Sequence, residues 1–167
     1  MYDELTEIDI KKMKEEIDYR VRELRPKLIE DVQTARAFGD LSENFEYKCA
    51  KQAKNRNDSR IRYLQRMIRT AKVIEAETPG EGIGLFDKVT LYDELDEEEM
   101  TIQIVTTLRQ NALNGLISKE SPVGRALMGR TVGERVKVEV NEKVSYFVQI
   151  RAVEKGTDDE SLSISAS

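Results

Sequence analysis

Two long, highly charged segments of the chain are joined by Ala35-Arg-Ala-Phe-Gly-Asp-Leu-Ser-Glu-Asn-Phe-Glu-Tyr47. This stretch holds one glycine, two carboxylates three residues apart at Asp40 and Glu43, and residues that commonly begin a helix. The segments on either side have apolar residues at helical spacing. We therefore expect an antiparallel helical hairpin whose turn carries the two acids.

The first arm has an apolar residue at every third or fourth position. The steps of 3, 4, 4, 3, 4, 4 and 3 form an eleven-residue repeat, which favours a nearly straight helix pair. Thr6 is expected to cap the start of this helix. Pro26 interrupts the arm, but the apolar stripe stays in phase, so we predict one helix with a kink. The apolar positions are Ile10, Met13, Ile17, Val21, Leu24, Leu28, Val32 and Ala35.

The second arm is predicted to start near Ser42 and to have a similar length. Asn57 occupies an expected apolar position, which allows two interpretations: a partly exposed seam, or a buried polar residue that fixes the helix register. Cys49 is expected to be a small buried residue on the apolar face. That face contains Phe45, Cys49, Ala53, Ile61, Leu64, Ile68 and Ala71.

The pattern changes after a Pro- and Gly-containing linker at 77–84, where the periodicity becomes two. Strands are predicted at 88–92, 101–105, 135–140 and 144–150, with a further short strand at 116–117 and a short helix at 121–128. The fold class is therefore α+β. An N-terminal antiparallel coiled coil occupies residues 1–76, an antiparallel sheet with one helix occupies 85–155, and a disordered tail is expected at 156–167.

Composition excludes several kinds of chemistry. The chain has no histidine, which removes the commonest general base and the usual zinc ligand. With 27 basic and 32 acidic residues, the net charge does not favour binding duplex DNA. The single cysteine is typical of a reducing compartment. Without a recognisable signal peptide or a long apolar stretch, we expect a cytoplasmic protein without membrane contact.

Asp40 and Glu43 allow two interpretations from the residues alone. Asp40 could cap the second helix, with Glu43 completing a capping box and both charges favoured at a helix N-terminus. The same two carboxylates could also contribute to a Mg²⁺ site, because Mg²⁺ is often held by one or two carboxylates and shared with a phosphate substrate. The two roles are compatible.

Two blocks of sequence resemble the bacterial Gre transcript-cleavage factors, the GreA more than the GreB branch. The first comprises residues 24–29, 35–36 and 39–47, and the second is Leu116-Ile-Ser-Lys-Glu-Ser-Pro-Val-Gly-Arg-Ala-Leu-Met-Gly129. The resemblance extends to about Lys155. It implies an N-terminal coiled coil and a C-terminal domain of FKBP-like topology.

The resemblance also implies a function. Such a factor docks on bacterial RNA polymerase, inserts its hairpin into the secondary channel and stimulates cleavage of the backtracked RNA 3′ end. Asp40 and Glu43 match the paired acids that help hold the second Mg²⁺, which is shared with the polymerase and not bound by the factor alone. The protein would then be a monomeric cofactor of the polymerase's nuclease activity and no enzyme itself.

Further residues receive roles from the same resemblance or from their position. Supports of the turn are Leu41, Asn44 and Tyr47. Candidates for contact with RNA phosphates, unless they form an ordinary solvated helix face, are Lys48, Lys51 and Arg56. Candidates for polymerase docking, unless they belong to a helix that only packs on the sheet, are Ser121, Pro122 and Leu127.

The segment 106–114 departs from the family pattern, because it carries a positive charge where the family has an acidic element. This departure bears on polymerase docking and domain orientation. Two other classes of function therefore stay open. One is a non-cleaving binder of the same channel that inhibits or competes, and the other is a coiled-coil interaction or chaperone-like protein with a prolyl-isomerase-like domain.

Overall fold

A computed structural model of the chain describes residues 3–39, 44–75 and 81–164. These residues form two compact units, each described by itself below. One unit is the helical hairpin of residues 10–71, and the other combines residues 3–9 with the chain from Lys72 onward. The sequence had placed residues 3–9 with the hairpin, whereas their contacts assign them to the C-terminal unit.

The first arm is one continuous helical segment of three parts: α1 (Glu7–Tyr19), a π-helical turn (Arg20–Leu24) and α2 (Arg25–Arg36). Its first turn carries a reciprocal cap. The Thr6 hydroxyl accepts a hydrogen bond from the Asp9 N–H at 3.2 Å, and the Asp9 carboxylate accepts one from the Thr6 N–H at 3.0 Å. The predicted cap at Thr6 is confirmed.

The π-helical turn lies directly before Pro26, where the regular hydrogen-bond ladder loses a donor. Arg25 N–H donates to the carbonyl of Arg20, five residues back. In this turn Val21 is 42% exposed, and Arg20 reaches Asn57 of the second arm. The predicted helix does continue through the proline, and the other predicted stripe positions, on both sides of the proline, are buried or half-buried.

The second arm is α3 (Phe45–Thr70), which begins later than the predicted start near Ser42. At its turn end, Phe45 is 76% exposed and Cys49 is also exposed. The predictions that both lie on the apolar face are therefore wrong. Tyr47 and Ala50 are instead the half-buried residues there, because the contacts with α2 are made through Asn44 and Tyr47. Further along, the buried residues of α3 are Asn57, Ile61, Leu64 and Met67.

Asn57 joins the two arms and is only 3% exposed. Its side-chain oxygen accepts from Arg20 Nη1 at 2.9 Å, and its Nδ2 donates to the Arg20 carbonyl at 3.2 Å. Glu16 accepts from Arg20 Nε and Arg60 Nε, both at 2.8 Å. Burial by itself raises the pKa of Glu16, but the hydrogen bonds from the two arginines outweigh burial and hold the pKa below 4.5. Asn57 is thus a buried polar residue and not part of an exposed seam, while its role in fixing the helix register stays a prediction.

The C-terminal unit is built on a five-stranded sheet. Its strands are β3 (Lys88–Asp93), β4 (Glu98–Val105), β5 (Leu116–Ser118), β6 (Arg135–Glu139) and β7 (Ser145–Glu154). Their order in the sheet is β5–β4–β3–β7–β6, and neighbouring strands are antiparallel except β4 and β5, which are parallel. The sheet is therefore mixed and not purely antiparallel as predicted, while the α+β class is confirmed.

One helix, α4 (Pro122–Leu127), belongs to this unit, and Leu127 is part of its core. The core is made of alternating strand residues, among them Val89, Leu91, Ile104 and Val148. A second, two-stranded parallel sheet pairs β1 (Glu4–Leu5) with β2 (Lys72–Val73) and was not predicted. Over the described parts of the chain, no helix has both the length and the apolar character to cross a membrane.

Residues 156–162 differ from the predicted disordered tail, because they have specific partners. Gly156 N–H donates to the buried Asp87 carboxylate at 3.0 Å, and Lys155 Nζ lies 2.9 Å from the same group. A Cβ at Gly156 would lie 2.0 Å from the Phe86 carbonyl oxygen, so only glycine allows this close approach. Leu162 packs on the core.

The positive charge in the atypical segment 106–114 is that of Arg109, which lies inside the C-terminal unit. Its side chain is buried, with Nε 2.8 Å from Asp9 and Nη1 paired with Asp158. Nη1 also donates to the Asp159 carbonyl at 3.1 Å, and the guanidinium lies 5.3 Å from the centre of the Phe86 ring. The charge is thus neutralised inside the unit by one acid from residues 3–9 and one from the tail.

Candidate functional site

The hairpin turn begins where α2 ends. Phe38 N–H donates to the Ala35 carbonyl at 3.2 Å, which closes a last turn after the helix. Gly39 then adopts φ +114°, a backbone conformation that L side chains rarely adopt. A glycine at this position lets the chain leave the helix without strain.

Asn44 fastens the other end of the turn. Its Oδ1 accepts a hydrogen bond from Tyr47 N–H at 3.0 Å, so that Asn44 is the N-cap of α3. Its Nδ2 donates to the Ala35 carbonyl at 2.8 Å, in the last turn of α2. One amide side chain therefore satisfies a free donor of α3 and gives the Ala35 carbonyl of α2 a second hydrogen bond, and it joins the two helix ends.

Tyr47 provides a second contact between the arms. The Arg36 guanidinium lies 5.8 Å from the centre of its ring, and the Lys51 ammonium lies 6.0 Å away. A hydrogen bond from Arg36, aided by the charge of Lys51, holds the pKa of the Tyr47 phenol below 10.0. Sequence reasoning did not single out Arg36, although a basic residue in the last turn of a helix that precedes a glycine is a recognisable signal.

The predicted site residues Asp40, Leu41 and Glu43 lie outside the described residues. The cap of α3 nevertheless bears on them, because Asn44 fills the position that the capping interpretation assigned to Asp40. Among the residues that the structure describes, no three His, Cys, Asp or Glu side chains are grouped as a metal site. Two carboxylates suit a Mg²⁺ ion whose other ligands come from a partner or a phosphate.

The basic residues of α3 divide into two groups. Lys48, Lys51 and Arg56 are exposed, as an RNA-contacting role would require. Lys54 instead lies 3.0 Å from Asp58, an acid that Arg25 of the other arm also approaches at 3.2 Å. Exposed positive charge thus lies near the turn at these three residues, and it continues along α3 at Arg62, Arg66 and Arg69.

The predicted docking residues lie at the two ends of α4. Ser121 is its N-cap, with Oγ accepting from Gly124 N–H at 3.0 Å and donating to the Ser118 carbonyl at 2.7 Å. Pro122 is half-buried at the first helical position. Leu127 is fully buried in the core, so the prediction that it contacts a partner is wrong. The helical pattern of α4 places Leu127 against the sheet.

The helical hairpin and the mixed-sheet unit each match a family of transcription factors. The family description "Transcription elongation factor, N-terminal" matches residues 4–73, and "Transcription elongation factor, GreA/GreB, C-term" matches residues 78–155. The chain belongs to the GreA/GreB transcription elongation factor family.

Several relatives carry the name transcription elongation factor GreA. The chain is 44% identical to that of Rhizobium etli (strain CIAT 652) over 128 residues, which cover 76% of this chain and 81% of the relative. It is 43% identical to that of Sinorhizobium medicae (strain WSM419) over 127 residues, covering 75% and 80%. Among solved structures, the Gfh1 protein of Thermus thermophilus matches with 27% identity and a TM-score of 0.43, covering 93% of this chain and 100% of that one.

Proposed function

We propose that this elongation factor binds RNA polymerase through the secondary channel and stimulates endonucleolytic cleavage of the RNA 3′ end in backtracked complexes. The polymerase active site performs the cleavage, and the factor contributes groups to it. The C-terminal unit would dock on the polymerase, with Ser121 and Pro122 as candidate contacts. The hairpin would carry the turn to the RNA.

The observation that carries this proposal is the double role of Asn44. It caps α3 and is bonded to the last turn of α2, so Asp40 is not needed as the cap of that helix. The family resemblance assigns catalytic roles to Asp40 and Glu43, and both lie in the sequence between Gly39 and Asn44. With 26 residues, α3 spans about 39 Å at 1.5 Å per residue, which is sufficient to reach deep into another protein.

In this role, Asp40 and Glu43 would hold a Mg²⁺ ion together with groups of the polymerase. When bound, the ion supplies positive charge beside the scissile phosphate and makes water more acidic. The carboxylates would also accept a hydrogen bond from the attacking water and so orient it. Exposed Lys48, Lys51 and Arg56 would attract the phosphates of the displaced RNA.

The test is a transcript-cleavage assay in stalled, backtracked complexes of bacterial RNA polymerase, for example from Rhizobium etli. The unmutated protein is expected to shorten the RNA from its 3′ end. Asp40→Asn combined with Glu43→Gln should lower the cleavage rate by about 10²-fold or more, the usual contribution of a positioned acid–base group. Glu46→Gln is the matched control, because this exposed acid lies in the first turn of α3; it should retain cleavage.

Two outcomes would replace the proposal. If the unmutated protein binds the polymerase and slows transcription without cleavage, it is a non-cleaving channel binder. If it does not bind the core polymerase, a general coiled-coil interaction protein becomes the better description. Full cleavage by the Asp40→Asn, Glu43→Gln variant would refute only the catalytic role of these two acids and would leave the rest of the proposal standing.

A further inference from the structure

Two phenylalanines on the hairpin are largely exposed to solvent. Phe38 is 71% exposed just after α2, and Phe45 is 76% exposed at the first position of α3. They lie on the two sides of the acidic turn. Two large aromatic rings in water forgo the free energy of burial, which a ligand that covered them would recover.

Cationic side chains accompany these rings. Lys48 is exposed and lies three positions after Phe45, on the same face of α3. Lys51 and Arg36 lie beside the Tyr47 ring at 6.0 and 5.8 Å. Aromatic rings interleaved with lysine and arginine are the usual composition of surfaces that bind single-stranded nucleic acid, in which bases stack and phosphates meet cations.

The charge of this surface favours RNA as its ligand. Arg36, Lys48 and Lys51 are exposed cations, which suit the phosphates of a nucleic acid. Glu46 is an exposed acid among these residues and opposes RNA binding. The three cations Arg36, Lys48 and Lys51 outnumber it.

We propose that Phe38 and Phe45 form a stacking surface for unpaired bases at the RNA 3′ end, with Lys48 and Lys51 neutralising the neighbouring phosphates. This inference rests on the proposed function and adds to it a means of holding the substrate. Stacking on a ring accepts any base, which suits a factor that must act on many transcripts. The rings position the RNA and take no part in bond cleavage.

The first experiment maps what touches this surface. Cys49 is the single cysteine of the chain, is exposed, and lies one helical turn after Phe45. The protein with a benzophenone maleimide attached to Cys49 is bound to backtracked polymerase complexes that contain end-labelled RNA, in buffer without Mg²⁺.

The expected result is a crosslink to the last nucleotides of the RNA. Crosslinks to polymerase subunits alone would overturn the proposal. The control carries the label on Leu95→Cys in a Cys49→Ser background, because Leu95 is 68% exposed in the other unit.

The second experiment compares three double variants in the cleavage assay at a saturating concentration of the factor. Phe38→Ala with Phe45→Ala should lower the cleavage rate at least about fivefold, since base stacking on an aromatic residue is worth at least that factor in affinity. Phe38→Tyr with Phe45→Tyr keeps both rings and should retain the rate. Phe38→Leu with Phe45→Leu keeps apolar volume without the rings and should be as slow as the alanine variant.

The outcomes separate this inference from the proposed function. Equal rates for the unmutated protein and the alanine variant, or full activity of the leucine variant, would overturn the stacking surface and leave the cleavage function intact. If the unmutated protein causes no cleavage, the proposed function fails. The Cys49 crosslink then still decides whether the surface meets RNA. Leu95→Ala, which also removes an exposed apolar side chain, should behave as the unmutated protein throughout.

Discussion

Replacing Arg109 by methionine should destabilise the C-terminal unit more than any exposed arginine replacement. The guanidinium is buried and compensates two carboxylates, Asp9 and Asp158. Methionine has a similar length but no charge, so both carboxylates would lose their cation. Thr6 would still donate to each of them, through its N–H to Asp9 and its hydroxyl to Asp158, but a neutral donor does not replace a charge.

The magnitude follows from the burial of the network. Removing one partner of a buried ion pair costs about 3–5 kcal/mol, mostly because the remaining charge is left uncompensated. Loss of the contact with the Phe86 ring, 5.3 Å from the guanidinium, adds about 0.5–2 kcal/mol. A typical domain has a free energy of unfolding of about 5–15 kcal/mol, so this variant should lose a large part of its stability.

Hydrogen exchange measured by mass spectrometry on the full chain is the suitable assay, because it reports each unit separately. Amides of β3 and β7 should exchange roughly 10²- to 10⁴-fold faster in the Arg109→Met variant. Arg151→Met is the matched control, since exposed Arg151 lies 4.9 Å from the centre of the Tyr92 ring. It should cost at most about 1 kcal/mol.

A second variant tests the reasoning directly. Adding Asp158→Asn to Arg109→Met removes one of the two uncompensated charges, so the double variant should be more stable than Arg109→Met alone. If the double variant is equally or less stable, the cost does not arise from unpaired charge. An Arg109→Met variant that exchanges no faster than Arg151→Met would refute the network as a source of stability.

Three further predictions concern the hairpin and the tail. Asn57→Ala should lower the free energy of unfolding of the hairpin by about 1–3 kcal/mol in urea titrations followed by circular dichroism, because half-buried Arg20 loses its hydrogen-bond partner on the other arm. Replacing exposed Gln52 by alanine should change this free energy little. The lowered pKa of Glu16 means that its contribution is complete above about pH 4.5 and is lost as the pH falls through the lowered pKa. Glu16→Gln should therefore be less stable than the unmutated chain at pH 7 and should show a weaker loss of stability on acidification; an unchanged acid dependence would contradict this. Gly156→Ala should speed hydrogen exchange in residues 157–162, since its Cβ would collide with the Phe86 carbonyl, and unchanged exchange there would show that the tail does not need this approach.

Some features of the site could be read locally. The turn, its glycine and the cap of the first helix depend on residues close in sequence, and these predictions agree with the structure at Gly39 and Thr6. The start of α3 was predicted too early, because Asp and Asn are about equally good N-caps and the choice of Asn44 depends on its second bond, to Ala35. That bond joins two helices and has no local signal.

The exposure of residues near the turn was predicted less well. A helical stripe through Phe45 and Cys49 suggested burial, yet both are exposed. Periodicity gives the spacing of the residues on one face of a helix, but it does not say which face packs against the neighbouring helix. Here the contacts of Asn44 with Ala35 and of Tyr47 with Arg36 fix which face of α3 packs against α2.

The amino-acid sequence by itself determined the two arms, the acidic turn between them, the change to strand periodicity and the family of the protein. These features rest on spacing and residue type along the chain. The tertiary structure alone decided the partners of the buried polar groups. Arg109 meets Asp9, one hundred positions earlier, and Asp158, 49 positions later, while Asn57 meets Arg20, 37 positions earlier. Because a buried charge must be compensated by whatever group the fold brings to it, such partners follow from the folded arrangement and not from local pattern.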